Sequence, residues 1–299
     1  MALNEVYLSY LVPSFNHGRY ILELLESIRI DMLHLSVPAE LIIVDDGSKD
    51  DSGKVIRKWV AVNENYINIT CVFLPENKGI PAVFNKLVTL SSGEFLRFSG
   101  SDDILVRGST QKLLDVFYGR DRLTCVFGDG SVIDHRGQII NSSSIAFHGG
   151  NVARLTNSKM LKVELIHNWC LAGPSFLIRK SHYERMRYDE SLKIDDYDLY
   201  LSLLERPGSV DFLNFIVCQY RVHDSNTSKT RETKKRIDNL DSFLKIVDKY
   251  IDRGVLKDEL ISVKYKTMAK IRFLQRKYLS VVFYMAIYGI LKFRFVLKK

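Results

Sequence analysis

The stretch LIIVDDGSKDDS, residues 41–52, decides the fold of this chain. Four apolar residues, Leu41–Val44, lead directly into the carboxylate pair Asp45 and Asp46. A short, continuous apolar run is typical of a strand that is buried on both faces of a parallel sheet. Ligands bind in the crevice outside the C-terminal ends of such strands, and a buried carboxylate is costly unless it binds a partner. The stretch therefore predicts a binding site at one edge of an α/β sheet.

A second acid pair repeats this arrangement. Asp102 and Asp103 follow the segment FLRFS, residues 95–99. The alternative in both places is a helix cap, but Asp50 or Asp51 as a cap leaves the first pair unexplained. Hard divalent cations prefer carboxylate oxygens, and Mg²⁺ or Mn²⁺ usually combines one or two of them with substrate phosphates. The recurrence favours a Mn²⁺ or Mg²⁺ site for a ligand that carries a diphosphate.

Strand and helix patterns alternate along the first hundred residues in the order βαβαβαβ. Right-handed crossovers between parallel strands place both acid pairs at the same sheet edge. Beyond residue 104 the pattern is mixed, with separate strands expected at Leu123–Phe127 and Ser131–Ile140 and a flexible loop at 141–157. The expected fold class is α/β, with a mixed, mostly parallel sheet flanked by helices.

The composition divides the chain near residue 229. We expect a catalytic or binding domain over residues 1–228 and a helical, basic extension over residues 229–299. The chain carries a net charge of +8, and no acid follows Glu259. The four cysteines fit no metal-ligand spacing, which favours reduced structural thiols in a cytosolic protein.

The extension contains an apolar run, residues 279–291, between clusters of basic residues. Thirteen residues are too few to span a bilayer, which needs about 20. Basic flanks around an aromatic-rich run favour a helix on an anionic membrane surface. The alternative is a helix packed on the core or on a sister subunit in a homo-oligomer. No nucleic-acid-binding motif accompanies the positive charge, so nucleic acid is not an expected partner.

The chain resembles family 2 glycosyltransferases of the GT-A fold over residues 6–229, and six segments in that family's order carry the resemblance. They are VPSFNHGRYILELLESI (12–28), IIVDDGSKDDS (42–52), ENKGIPAVFNKLV (76–88), GEFLRFSGSDDIL (93–105), YDESLKIDDYDLYLSLLE (188–205) and YRVHDSNTSK (220–229).

The resemblance implies a nucleotide pocket and a metal site. The residues expected to bind the nucleotide are Pro13, Ser14, Phe15, Asp45, Asp46, Gly79, Asn85 and Asp102. Asp103 is implied as the metal ligand, with Asp102 facing the ribose or the metal and His223 reaching the diphosphate or the metal. Many relatives carry a further acid two positions before Asp102, where this chain has Gly100.

The resemblance also implies the catalytic base. Asp196 is the implied general base, in an Asp-Asp pair where the family usually has Glu-Asp. Asp195 and Asp198 are the alternatives. An inverting transfer needs such a carboxylate on the sugar face opposite the leaving diphosphate. Trp169, Gly173 and Asp195 are placed in the sugar and acceptor pocket, although a buried core Trp is the alternative for Trp169.

The sequence thus predicts an inverting, metal-dependent glycosyltransferase. Its donor is expected to be a nucleotide-diphosphate sugar, with UDP as the commonest nucleotide. Its acceptor is expected to be a hydroxyl of a bacterial-type surface glycan carried on a lipid. The expected location is cytoplasmic, peripheral at the inner face of the membrane. The alternative is a non-catalytic subunit that binds nucleotide sugar or glycan, for which Gly100 is a sequence hint.

Overall fold

A computed structural model describes residues 7–192, 196–223, 232–254 and 256–297, without the side chains of residues 292–297. The strands, in chain order, are β1 (Leu8–Ser14), β2 (Ala39–Asp45), β3 (Asn68–Phe73), β4 (Phe95–Phe98), β5 (Ile104–Leu105), β6 (Cys125–Ile133), β7 (Ile139–Asn141), β8 (Phe176–Arg179) and β9 (Val210–Arg221).

Helices fill most of the intervals between the strands. They are α1 (Ile21–Met32), α2 (Ser52–Asn63), α3 (Ile80–Leu90), α4 (Ser109–Asp115), α5 (Ser144–Phe147), α6 (Val152–Leu155), α7 (Ser158–Asn168), α8 (Lys180–Met186), α9 (Asp196–Leu204), α10 (Thr233–Asp252), α11 (Lys257–Leu274) and α12 (Tyr278–Leu297). A short 3₁₀ turn covers Gly173–Ser175.

The strands form one mixed sheet in the order β3-β2-β1-β4-β8-β6-β9-β5, and β7 pairs with β6. β3, β2, β1 and β4 run parallel to one another, whereas β8 is antiparallel to both β4 and β6. The four parallel strands are the ones that the βαβ pattern of the sequence predicts. The expected α/β fold class is confirmed.

Alternate residues of the central strands serve two hydrophobic cores. Leu11 and Ile42 face the core that α3, α7, α8 and α9 cover. Tyr10 and Ile43 face the opposite core, which α1, α2 and α4 cover. Successive side chains of a strand point to opposite faces, so a strand with helices on both sides is apolar throughout. This is the physical reason for the unbroken apolar run at residues 41–44.

The middle of the chain differs from the sequence expectation in two places. Leu123–Phe127 and Ser131–Ile140 do not form separate strands, because β6 continues through Gly128 and Gly130 to Ile133 and a hairpin then leads to β7. A Cβ at Gly128 would lie 2.5 Å from a methyl of Val217, so glycine permits the close pairing with β9. The expected loop at 141–157 contains the one-turn helices α5 and α6.

The basic extension is helical, as predicted, and its first two helices complete the core. Ile246, Val247 and Tyr250 of α10 and Leu260 of α11 are fully buried in the core that contains α7 and α9. The expected boundary at residue 228 lies outside the described residues. The buried residues of α10 and α11 belong to the same hydrophobic core as Leu11 and Ile42 of the sheet.

Candidate active site

The candidate site lies at the C-terminal edge of the parallel strands. The register pairs Ser14 at the end of β1 with Asp45 at the end of β2, and β4 runs parallel beside β1. The segments that follow these three strands therefore emerge at one edge of the sheet. Both acid pairs come to this edge, as the sequence predicts.

Asp45 is buried and bound to neighbouring hydroxyl groups. Its carboxylate accepts hydrogen bonds from the Ser48 backbone N–H at 3.0 Å, the Ser48 hydroxyl at 2.7 Å and the Ser14 hydroxyl at 3.1 Å. These contacts satisfy a carboxylate that is 3% exposed. Asp45 and Ser14 thus fix the geometry of the loop that begins after β2.

Asp46 holds the turn that precedes α3. Its two carboxylate oxygens accept the backbone N–H groups of Lys78 at 2.8 Å and Gly79 at 2.9 Å. Gly79 has φ of +89°, a conformation that glycine adopts without steric cost. Asp46 therefore joins two segments that the sequence assigned to the nucleotide pocket.

The other residues assigned to the nucleotide differ in their surroundings. Pro13 is buried within β1, whereas the Phe15 side chain is 37% exposed just beyond it. Asn85 is buried, and its amide bonds the backbone N–H and C=O of Tyr188 and the carboxylate of Glu190. Asn85 thus anchors the segment that leads towards α9, a role that sequence reasoning did not anticipate.

Asp102 lies between two histidines. The Nε2 of His223 is 3.0 Å from Asp102 Oδ2, and the Nδ1 of His17 is 3.8 Å from Asp102 Oδ1. One ligand atom from each of these three residues lies within 4.8 Å of the others. His17 Nδ1 also lies 2.7 Å from the Ser101 hydroxyl oxygen. Within the described residues, this trio is the cluster that could hold a metal ion.

Sequence reasoning missed His17. Its signal was its position three residues after Ser14, in the loop that leaves the same sheet edge as Asp102. Backbone contacts fix that loop, because the His17 N–H donates to the Ser52 hydroxyl at 2.9 Å. Burial lowers the pKa of His17, with the charge of Asp102 opposing the shift. A neutral imidazole is the form that binds a metal.

Asp103 faces a different environment from Asp102. It is 3% exposed, and its Oδ1 accepts the Arg221 backbone N–H at 2.9 Å. Burial raises the pKa of Asp103 well above its usual value, and the nearby charge of Asp102 adds to the effect. The structure therefore brings Asp102 and His223, but not Asp103, into the cluster of candidate metal ligands.

Arg221 stabilises the cluster of His17, Asp102 and His223 through its contacts with Asp102 and Tyr20. Its guanidinium donates to the Asp102 carbonyl oxygen at 2.7 Å and to the Glu23 carboxylate at 2.6 Å. It also lies 4.8 Å from the ring centre of Tyr20, which stacks on His223 with a centroid distance of 5.2 Å. A buried guanidinium with these partners orients Asp102 and the ring of His223.

Trp169 belongs to an aromatic cluster. Its ring stacks on Phe243 of α10 at 5.8 Å and lies 5.7 Å from Tyr197 of α9. Phe243 thus covers part of the Trp169 ring, which was expected to line the sugar pocket. Gly173 begins the 3₁₀ turn nearby in the sequence, and an added Cβ there would have no atom within 4 Å.

Three acids were predicted as candidates for the general base, and the structure describes two of them. Asp196 is the first residue of α9 and is partly exposed. Asp198 is 1% exposed and binds Lys249, so its carboxylate has a structural partner. Asp195 lies outside the described residues. Of the two described acids, Asp196 is the one with solvent access.

Comparisons with known proteins agree with this fold. The model of glycosyl transferase family 2 matches residues 9–187. The chain is 27% identical to chondroitin synthase of Escherichia coli over 251 residues, which cover 83% of this chain and 33% of that protein. The chain thus spans a third of the length of that relative.

Solved structures share the architecture at low sequence identity. S. aureus TarS in complex with UDP-GlcNAc is 18% identical, with a TM-score of 0.64 over 89% of this chain and 73% of that one. Mannosyltransferase PcManGT from Pyrobaculum calidifontis, in complex with GDP-Man and Mn²⁺, is 15% identical, with a TM-score of 0.64 over 96% of this chain and 76% of that one. The family match covers more than half of the chain, and the chain therefore belongs to glycosyl transferase family 2, with the GT-A fold.

Proposed function

We propose that this protein transfers a sugar from a nucleotide-diphosphate donor to a hydroxyl group of a bacterial surface glycan. The observation that carries the proposal is the cluster of His17, Asp102 and His223 at the sheet edge that also presents Asp45 and Asp46. A candidate metal site at the C-terminal edge of parallel strands suits a ligand with a diphosphate. The similarity to chondroitin synthase supports a polysaccharide acceptor.

The ligand set favours Mn²⁺ over Mg²⁺. Two imidazole nitrogens and one carboxylate are available, whereas Mg²⁺ prefers an all-oxygen shell. Mn²⁺ accepts such mixed ligands more readily, and PcManGT was solved with Mn²⁺. A bound divalent cation would neutralise charge on the diphosphate as it departs. His17, Asp102 and His223 would hold it, and Arg221 would keep Asp102 and His223 oriented.

Asp196 is the proposed general base. Its carboxylate takes the proton of the acceptor hydroxyl while that oxygen forms a bond to C1 of the sugar. The bond between C1 and the diphosphate oxygen breaks in the same step, and the nucleoside diphosphate leaves with the electron pair. A single displacement from the opposite face inverts the configuration at C1, so no covalent enzyme intermediate is required.

The proposed donor nucleotide is UDP, and the proposed acceptor is a lipid-linked glycan. The TarS complex contains UDP-GlcNAc, whereas the PcManGT complex contains GDP-Man, so the fold accommodates more than one nucleotide. At this sheet edge, the turn that Asp46 holds and the exposed ring of Phe15 would lie beside the nucleobase of the donor.

Calorimetric titration tests the proposal. UDP, CDP, GDP and dTDP are titrated into the protein with and without Mn²⁺, and we expect tight binding of UDP that depends on the metal. Asp102→Asn should weaken this binding at least tenfold. Asp121→Asn, at an exposed acid away from the site, is the matched control.

Two outcomes would contradict the proposal. Failure of the folded protein to bind any of the four nucleotides would remove the donor site. Metal-dependent binding without hydrolysis or transfer of a bound UDP-sugar in the presence of glycan acceptors would instead favour a non-catalytic nucleotide-sugar-binding subunit. The specific observation that favours this second function is Gly100, which stands where many relatives carry an acid.

A further inference from the structure

The helix α12 is uncharged over fourteen residues and covered on one side. No charged residue occurs from Tyr278 to Leu291. The side that includes Val281, Tyr284 and Tyr288 is partly buried, and the Tyr284 ring lies 6.1 Å from that of Tyr265 on α11. Packing on α11 thus accounts for one side of the helix.

The opposite side of α12 is an exposed apolar stripe. Leu279 is 90% exposed, Val282 68%, Phe283 61% and Ile290 60%. Together with the exposed Ala286, these residues follow the spacing i, i+3, i+4, i+7 and i+11, which lies along one side of a helix. A helix that is apolar all round is normally buried. No partner covers this stripe within the part of the chain that the structure describes.

Positive charge surrounds the stripe. Arg276 and Lys277 are exposed immediately before α12. The residues after Glu259 include ten lysines and arginines and no acid, and two of those basic residues, Lys292 and Arg294, follow the uncharged segment within α12. A partner that binds this stripe must therefore contact both its apolar side chains and the basic residues on either side of it.

We propose that the exposed stripe of α12 docks on an anionic lipid bilayer and lies in its headgroup region. A bilayer surface accepts the apolar side chains into the acyl boundary and the basic residues against anionic headgroups. A second copy of the chain is a poorer occupant, because two-fold pairing through α12 brings two basic segments together. Charge complementarity thus selects the bilayer.

The helix lies on the bilayer rather than across it. None of the described helices has the length and the apolar run that a membrane crossing requires. The uncharged segment of fourteen residues is shorter than the roughly 20 that span the hydrocarbon core. Exposed aromatic rings at Phe273, Tyr278 and Phe283 suit the boundary between headgroups and acyl chains. This proposal is independent of the transferase activity, because the stripe contains no residue of the candidate site.

Vesicle flotation of the full chain tests the proposal. We expect the protein to float with phosphatidylcholine vesicles that contain about a third phosphatidylglycerol, and to bind pure phosphatidylcholine vesicles much more weakly. The triple variant Leu279→Ser, Val282→Ser, Phe283→Ser should lose at least about a hundredfold in vesicle affinity, because three apolar side chains no longer enter the bilayer. Arg276→Gln with Lys277→Gln should lose about tenfold on anionic vesicles alone.

A matched control removes equally exposed apolar side chains elsewhere. Leu33→Ser, Tyr66→Ser and Tyr118→Ser change residues that are 72%, 87% and 91% exposed, and this triple variant should float as the wild type does. A single variant, Phe283→Trp, gives a readout that does not depend on the triple variants. Its fluorescence emission should shift to shorter wavelength when anionic vesicles are added.

The proposal has two clear failures. It is overturned if the wild type remains unbound with anionic vesicles and Phe283→Trp shows no spectral shift. It is also overturned if light scattering shows a dimer that the Leu279, Val282 and Phe283 substitutions dissociate, because the stripe is then an interface between copies. Nucleotide binding measured on the same samples distinguishes either result from a failure of the proposed transferase function.

Discussion

Lys249 of α10 binds both carboxylate oxygens of Asp198 at 2.9 Å, two residues beyond the proposed base Asp196. The Tyr250 hydroxyl donates to the same carboxylate at 2.8 Å. Asp198 is 1% exposed, so this pair is the compensation for a buried charge on α9. The basic extension thus holds the helix that begins at Asp196, although it lies outside the segments that resemble the family.

Removal of Lys249 should therefore destabilise the fold. Lys249→Met leaves the Asp198 carboxylate buried without its cation, and we expect a loss of about 3 kcal/mol in the free energy of unfolding. Urea denaturation followed by circular dichroism measures it. Arg253→Ala breaks the more exposed ion pair with Glu205 and should cost less than about 1 kcal/mol. If Lys249→Met costs no more than this control, the pair does not compensate a buried charge.

Asp196→Asn should abolish transfer and leave donor binding unchanged. An amide of the same shape cannot take the proton of the acceptor hydroxyl, and general base catalysis contributes about 10²–10⁴-fold. The rate of sugar transfer and the calorimetric affinity for UDP are measured on the same preparation. Unaltered turnover would remove Asp196 as the base and direct attention to Asp195, the neighbouring acid.

Gly100→Ala should disturb the candidate metal site. An added Cβ would lie 2.6 Å from Asp103 Oδ2 and 3.0 Å from Asp102 Oδ1. The Asp103 carboxylate is held in place because its other oxygen accepts the Arg221 backbone N–H. The added methyl group should therefore displace the Asp102 carboxylate. We expect about tenfold weaker binding of Mn²⁺, measured by the electron paramagnetic resonance signal of unbound Mn²⁺.

Gly289→Ala, on α12 and outside the candidate site, is the matched control for this substitution. Its added methyl meets no atom within 4 Å, so Mn²⁺ affinity should stay at the wild-type value. Equal Mn²⁺ affinity for the Gly100→Ala variant and the wild type would mean that Asp102 is not a ligand or that the site adapts. The same result would remove the steric reason for glycine at this position.

His182 should make the stability depend on pH. Burial, assisted by the charges of Arg185 and Arg206, lowers the pKa of His182 from 6.5 to about 4. Below pH 6.5 the unfolded chain therefore binds a proton that the folded chain does not, and stability falls as the pH falls towards 4. The expected loss from this group is about 1.4 kcal/mol between about pH 7.5 and about pH 5.5.

The His182→Gln variant isolates this contribution. The glutamine amide can still bond the Ser202 hydroxyl, which lies 2.8 Å from His182 Nε2, but it does not titrate. Urea denaturation of both proteins at the two pH values should show a smaller loss in the variant. An identical pH dependence would mean that His182 has similar pKa values in the folded and unfolded chains.

The local sequence pattern was sufficient to predict the parallel half of the sheet. The strands before Asp46 and Asp102 have unbroken or nearly unbroken apolar runs because helices cover both faces, and each run ends where polar residues begin. In the second half, β6 continues through Gly128 and Gly130, because the pairing with β9 fills the space that side chains would occupy. That pairing joins distant segments, so no local pattern predicts it.

The sequence by itself determined the fold class, the family and the edge of the sheet at which both acid pairs lie, because these depend on hydrophobic periodicity and on residues close in the chain. Only the tertiary structure decided which acid faces which partner. Asp102 meets His17 and His223 whereas Asp103 turns to Arg221. Neighbouring side chains on one segment point in different directions, and their partners lie about 85 to 120 positions away along the chain. Folding alone brings such distant groups together, which is why the candidate metal cluster could not be derived from spacing.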